Sequence, residues 1–192
     1  MADRQDRFRR IYDSNYERIL GYALRRTDTF DDAHDVVSET FLVAWRRLDE
    51  VPHGERARLW LYGTARRVLA NQYRGRRRQR RLTDQLLTEP HRLAGSTDES
   101  VAASEAEQIG AAFSRLADHD RELLLLVGWE GLSSDELAQT LGCSRATVRV
   151  RLHRARKRFA KELEKQGVKR SKSTGHEPSR WASARPDPEE AL

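Results

Sequence analysis

Apolar residues recur along this chain at three- and four-residue spacing, the period of an amphipathic helix. Phe8, Ile11, Tyr12, Ile19, Leu20, Ala23 and Leu24 predict a first helix over residues 4–27, and the pattern breaks at 27–30. A second helix is expected over 31–48, with Val37, Phe41, Trp45 and Leu48 as its apolar stripe. Asp31 and Asp32 open it, where negative charge complements the helix dipole. Asp35, Ser38 and Glu39 lie away from the stripe. Pro52 and Gly54 mark 49–55 as a loop. A third helix, over 56–80, takes its apolar positions from Leu59, Trp60, Tyr62, Ala65, Val68, Leu69 and Tyr73. Its second half is rich in arginine and free of acids: Arg66, Arg67, Arg74, Arg76, Arg77, Arg78 and Arg80.

The pattern then lapses. Residues 82–103 carry Thr, Ser, Pro90 and Gly95, and Asp84, Glu89, Asp98 and Glu99 outnumber Arg92. This composition predicts a flexible acidic linker. Helical spacing returns at Ile109, Phe113 and Leu116, and 121–128 is apolar enough to be central to a small core. From 166 to 192 the chain is rich in Ser, Pro, Lys and Arg and is expected to be disordered, leaving Trp181 nothing to pack on. The expected fold is all-α. Two small helical domains, 1–81 and 104–165, are joined by the linker 82–103 and followed by the tail 166–192.

The most informative stretch is SSDELAQTLGCSRATVRVRLHRARKRF, residues 133–159. Ser133 and Glu136 have the spacing of a capping box. Leu137, Ala138 and Leu141 give a short helix an apolar face. Gly142 suits a reversal that needs a left-handed backbone, and Ser144 suits the start of a second helix. On that helix Val148, Leu152, Ala155 and Phe159 share one face. The remainder is cationic, from Arg145 through Arg149, Arg151, Arg154, Arg156 and Lys157 to Arg158. A merely solvated helix face usually mixes charge signs. This pattern is that of a helix-turn-helix, whose second helix fits the DNA major groove.

Composition supports a polyanionic partner. Of the 192 residues 34% are charged and 38% hydrophobic, and the formal net charge is +6. Arginine predominates over lysine, and its planar fork matches phosphate and guanine edges. Arginines interleaved with Trp60, Tyr62, Asn71, Gln72 and Tyr73 point to a second nucleic-acid surface, where aromatics and amides meet unpaired bases. No apolar run approaches the ~20 residues of a membrane span, so no membrane insertion is expected. The charged stretch MADRQDRFRRIYD lacks a signal-peptide core, which implies a cytoplasmic location. Cys143 is the only cysteine, fits a reducing compartment, and reads as a small packing residue in the turn. There is no phosphate-cradling glycine loop and no H-E-x-x-H helix. The six histidines are scattered, and Asp31, Asp32 and Asp35 read as capping groups rather than metal ligands. No metal, cofactor or catalytic role is expected.

Three stretches carry a family resemblance: DDAHDVVSETFLVAWRRL, LWLYGTARRVLANQYRGRRR and LADHDRELLLLVGWEGLSSDELAQTLGCSRATVRVRLHRARKRF. In that order and separation they resemble the extracytoplasmic-function (ECF) group of sigma-70 transcription initiation factors, over residues 8–163. The resemblance implies a subunit that binds core RNA polymerase and directs promoter-specific initiation. It implies that the N-terminal domain is sigma region 2 and the C-terminal one sigma region 4. Asp35, Ser38 and Glu39 stand where the family docks on the clamp helices of the largest polymerase subunit, Ser38 replacing the usual Gln. Trp60, Arg66, Arg67, Asn71 and Arg74 stand where it melts and reads the −10 element, with Arg67 in place of Asn and Asn71 in place of Asp. Arg145, Ala146, Arg149, Val150, His153 and Arg154 fall where the recognition helix reads the −35 element, and Thr147 and Arg151 where it meets the backbone or packs locally. Ala146 replaces a frequent Gly and Val150 a common Ser. The acidic linker resembles the segment that threads the polymerase's nucleic-acid channel, and an anti-sigma factor is a frequent family partner.

Two other readings start from the same residues. A stand-alone helix-turn-helix regulator would bind duplex DNA tightly without polymerase, usually as a dimer on paired half-sites. It leaves the N-terminal module unexplained. An enzyme acting on nucleic acid would need a convergent acid/base or metal constellation, and none is visible.

Overall fold

The computed structural model describes residues 2–86 and 105–166. Among them are seven α-helices and no strand: α1 (Ala2–Leu24), α2 (Phe30–Arg46), α3 (Arg56–Leu86), α4 (Glu105–Ser114), α5 (Asp118–Gly128), α6 (Ser134–Leu141) and α7 (Arg145–Lys165). A short 3₁₀ turn, Leu48–Glu50, follows α2. The all-α expectation holds. The segment 87–104, most of the expected linker, and the tail from 167 on, with Trp181, lie outside the described residues. None of the helices described is long and apolar enough to cross a membrane.

Local chemistry sets the helix ends. Thr29 has an extended backbone and its hydroxyl accepts the Asp32 N–H at 3.2 Å, so α2 starts one residue before the expected position. At the other end the Glu50 N–H bonds the Arg47 carbonyl at 2.9 Å, which tightens the chain into the 3₁₀ turn. The Arg47 guanidinium also forks onto the Glu50 carboxylate, and this hydrogen bond holds that carboxyl below its ordinary pKa. Residues 82–86, expected in the linker, are helical. Between Gly75 and Pro90 the sequence holds no helix breaker, so α3 runs on.

The helices form two compact units, one of α1, α2, α3 and α6, the other of α4, α5 and nearly all of α7. In the first, α2 packs against both α1 and α3. Ile19, Tyr22, Val36, Val37, Phe41, Leu61 and Ala65 are buried in its core. Tyr62, assigned from sequence to a nucleic-acid surface, belongs there too. It is 2% exposed and its ring lies 5.3 Å from that of Tyr22. Its spacing to Ala65 and Leu69 places it on the buried stripe of α3, and burial of a large ring outweighs exposure of one hydroxyl. Arginines of α1 finish the unit. Arg4 donates to the Trp45 carbonyl at 2.9 Å and Arg7 to the Val51 carbonyl at 2.6 Å, anchoring the last turn of α2 and the loop after it.

In the second unit Leu123, Leu125 and Leu126 of α5 are buried, as are Val148, Leu152 and Ala155 of α7. The rings of Phe113 and Phe159 meet edge-on at 5.7 Å. Arg121 donates to the carbonyls of Ser114 and Leu116, at 3.0 and 3.1 Å, and closes the end of α4. One buried charge joins α5 to α7: the Asp120 carboxylate, 3% exposed, accepts from Arg158 Nη1 at 2.7 Å. Arg158, counted from sequence with the cationic outer face, is thus a structural partner. Removing it leaves a carboxylate buried beside His119, at 3.4 Å, without its arginine. Arg158→Met is therefore expected to lower the unfolding free energy by about 3 kcal/mol in denaturant titration. Arg156→Met, at an exposed position two residues earlier, should stay within about 0.5 kcal/mol.

Candidate nucleic-acid interface

The apolar stripe of α2 faces α1 and α3, so its polar residues face out. Asp35, Ser38 and Glu39 are all exposed. Opposite them α3 carries Arg67 and Asn71. The five residues line one open groove of about 710 Å³ between α2 and α3, floored in part by Leu42, Val43 and Val68. One wall carries two acids, and the other one arginine among polar and apolar residues. Such a groove does not suit a polyanion lying along it. The acidic wall suits a cationic partner. The basic wall belongs to the outward side of α3.

On α3 a turn of about 100° per residue puts Trp60, Arg67, Asn71 and Arg74 within one stripe, with Arg66 roughly a third of a turn away. The stripe is internally bonded. The Thr64 hydroxyl donates to the Trp60 carbonyl at 3.0 Å, Arg67 donates to the Thr64 hydroxyl at 3.1 Å, and Arg74 donates to the Asn71 side-chain oxygen. Trp60 is half-buried, while Arg66, Arg67, Asn71 and Arg74 are exposed. Trp60, Arg66 and Arg74 do not line the groove. Tyr73 is half exposed, and its hydroxyl donates to the Arg26 carbonyl at the end of α1. Its polar end is thereby committed to structure.

The turn between α6 and α7 ends α6 by a Schellman motif. Gly142 is left-handed at φ 63°, its N–H bonds Gln139 O at 3.3 Å, and the Cys143 N–H bonds Ala138 O at 3.1 Å. The two helices thus follow each other as a helix-turn-helix requires. Val148, Leu152 and Ala155 are buried, so the opposite face of α7 is free for a ligand. Arg145, Ala146, Arg149, Val150, Arg151, His153 and Arg154 are exposed, and Thr147 is half-buried. Val150 is an exposed aliphatic in the second turn, suited to a thymine methyl. Arg145 is not solitary: its Nε lies 2.7 Å from the Asp135 carboxylate of α6. Both are well exposed, so the pair is weak and exchangeable.

Sequence reasoning missed a second groove. Phe8, Tyr12 and Tyr16 of α1 and His34, Phe41 and Trp45 of α2 line an open cleft of about 370 Å³, with Ser38 and Leu42 on its edge. The rings of Tyr12 and Phe41 are 4.7 Å apart and those of Phe8 and Trp45 5.2 Å. Burial, then the neighbouring Tyr16 and Asp13, raises the Tyr12 hydroxyl above its ordinary pKa. Periodicity had placed Phe8, Tyr12, Phe41 and Trp45 on apolar stripes. The signal for a cleft was the density of aromatics on two adjacent stripes. Among the described residues no cluster of acidic, histidine or cysteine side chains is arranged to hold a metal ion.

The chain is similar to known proteins along most of its length. A family model for Sigma-70 region 2 matches residues 11–79, and one for Sigma-70, region 4, matches residues 106–159. The ECF RNA polymerase sigma factor SigL of Mycobacterium tuberculosis is 32% identical over 165 residues, covering 84% of this chain and 92% of that protein. The ECF RNA polymerase sigma factor EcfG of Rhodopseudomonas palustris is 30% identical, covering 74% and 77%. Among solved structures, the sigma factor RpoE in complex with the anti-sigma factor NepR from Bartonella quintana is similar with a TM-score of 0.61 at 25% identity. That match spans 82% of this chain and 96% of the other.

Proposed function

This chain belongs to the ECF group of sigma-70 RNA polymerase sigma factors, and we propose how its residues divide the work of promoter-specific initiation. The observation that carries the proposal is the groove between α2 and α3, with Asp35 and Glu39 on one wall and Arg67 and Asn71 on the other. The Asp35, Ser38 and Glu39 face of α2 docks on the clamp helices of the largest polymerase subunit, a contact suited to arginine on that partner. The α3 stripe of Trp60, Arg67, Asn71 and Arg74, with Arg66 beside it, holds the unpaired −10 strand. Amide and guanidinium groups hydrogen-bond base edges there, and the indole offers a stacking surface. The outward face of α7 reads the −35 element, with Arg145, Arg149 and Val150 toward bases and Arg151, His153 and Arg154 toward the backbone or neighbouring bases. In domain terms, residues 1–81 act as sigma region 2 and 104–165 as sigma region 4. Two weak DNA contacts on one chain reinforce each other, because the second becomes intramolecular. The protein acts in the cytoplasm, where polymerase and promoter are. RpoE of Bartonella quintana is in complex with an anti-sigma factor, and control by such a factor is proposed for this chain as well.

Co-elution with purified polymerase core tests the first contact. Asp35→Lys with Glu39→Lys should weaken core binding by about 2 kcal/mol or more while leaving the helical circular dichroism intact, since both side chains are exposed. Unchanged core binding would remove the α2 face from the proposal.

Promoter DNA tests the second. Arg149→Ala should cost about 1–3 kcal/mol, concentrated at one base pair of the −35 element. An equal loss on every sequence would reduce Arg149 to a phosphate contact. Asp135→Asn frees Arg145 of its intramolecular partner, and should strengthen −35 binding by up to about 1 kcal/mol at low salt.

A further inference from the structure

The α3 stripe assigned above to the −10 strand has a hydrogen-bond polarity as well as a charge. Arg74 donates to the side-chain oxygen of Asn71, three residues earlier on the same exposed face. A guanidinium carries only donors, so the Asn71 atom that meets it is the oxygen, and the amide nitrogen with its two protons is the end left for a ligand. Arg67 is also tied back to the helix. The Thr64 hydroxyl, 2% exposed, gives its one proton to the Trp60 carbonyl at 3.0 Å, and its oxygen accepts from Arg67 Nη2 at 3.1 Å. Arg67 and Asn71 stand four residues apart, which makes them neighbours on a helix, and both line the groove between α2 and α3. The pair presents N–H groups, and its one oxygen is held by a cation. Asn71 stands where the resembled family has Asp, an acceptor-only group, so this polarity is a feature of this chain.

Polarity chooses among bases. An asparagine with both ends free pairs with adenine, its oxygen taking the N6 amine and its N–H the N7 acceptor. Here that pairing would pull the Asn71 oxygen from Arg74, and a guanidinium covered by DNA without its acceptor is costly. Adenine sets an amine beside the acceptor on both its Watson–Crick and its Hoogsteen edge. Guanine has two adjacent acceptors, O6 and N7, and cytosine has O2 and N3. Only such an edge meets two donors side by side. The nearby acceptors, Asp35 and Glu39, belong to the α2 wall proposed for polymerase. We propose that Arg74 is a positioning residue that holds the Asn71 amide with its donors outward, so that Arg67 and Asn71 select guanine or cytosine and reject adenine at one position of the unpaired −10 strand. The proposal rests on the sigma-factor reading and adds to it the kind of base that the stripe reads.

The test uses the full chain with polymerase core and fluorescent promoter fragments whose −10 strand is unpaired. Each −10 position carries each of the four bases in turn, and the apparent Kd is measured. At one position the unaltered protein should favour guanine or cytosine over adenine by about tenfold or more. Arg74→Met keeps the long stem and removes the donors. The ratio at that position should then fall at least about threefold, while the ratios at the other positions hold. Arg74→Lys supplies a donor again and should restore the ratio, which a merely structural role or a loss of general affinity would not predict. A ratio unchanged in Arg74→Met, or lost equally in Arg74→Lys, would overturn the positioning role. Core binding with no position that rejects adenine would overturn the base selection. Failure of the sigma-factor reading would register differently, as no binding of core by any of the three proteins, and would remove the proposal with it.

Discussion

The structure of the first unit depends on the double packing of α2. One helix must bury a stripe against α1 and α3 at once, and Val36, Val37, Thr40, Phe41 and Ala44 form that stripe. Thr40 can sit in it because its hydroxyl donates to the Val36 carbonyl at 2.6 Å, leaving no unsatisfied donor. With that face fixed, the rotation of the helix is fixed. Asp35, Ser38 and Glu39 then have only the outside to face, and the wall of the α2–α3 groove follows. A shift of one residue in the stripe would turn the acids by about 100° and dissolve the groove. The acidic face of α2, proposed above to meet polymerase, is therefore a by-product of core packing, and it needs no separate element to hold it.

Arginine divides between two tasks. Arg4 reaches a carbonyl in the last turn of α2 and Arg7 one in the loop after it, Arg121 closes α4, and Arg158 holds the buried Asp120. These four belong to the fold. Arg66, Arg67, Arg74, Arg149, Arg151 and Arg154 stand exposed on helix faces whose opposite sides are buried. Both tasks draw on the same property, a rigid fork of donors on a long apolar stem. A net charge of +6 thus understates the positive charge exposed on α3 and α7, since much of the compensating acid lies elsewhere, as on α2.

The fold was legible in the sequence because helical periodicity is a local signal. The stripes, the turn at Gly142 and the buried face of α7 could all be read within a few residues. The failures have a common cause. Tyr62 shares its surroundings with half-buried Trp60 and exposed Tyr73, and only the opposing Tyr22, forty positions away, marks it as core. Arg158 sits in a basic run, and its tie to Asp120 crosses 38 positions. The Arg58–Glu136 pair crosses 78. Periodicity tells which face of a helix is buried. It does not tell against what, so the groove lined by Asp35 and Arg67 and the docking of α6 on α3 emerged only from the assembled helices. The extension of α3 to Leu86 was a different error: composition suggested a linker from 82 on, whereas 82–86 hold no helix breaker and are helical.

The central claim, that the α2, α3 and α7 faces act together to start transcription at chosen promoters, is tested most directly by in vitro transcription. Purified polymerase core is given a pool of genomic promoter fragments from the source organism, with and without this protein. The account predicts new transcripts only when the protein is present, with start sites that share one −35 and one −10 sequence at fixed spacing. No new transcripts, with DNA retained by the protein alone, would contradict the account and identify a regulator that binds duplex DNA without polymerase.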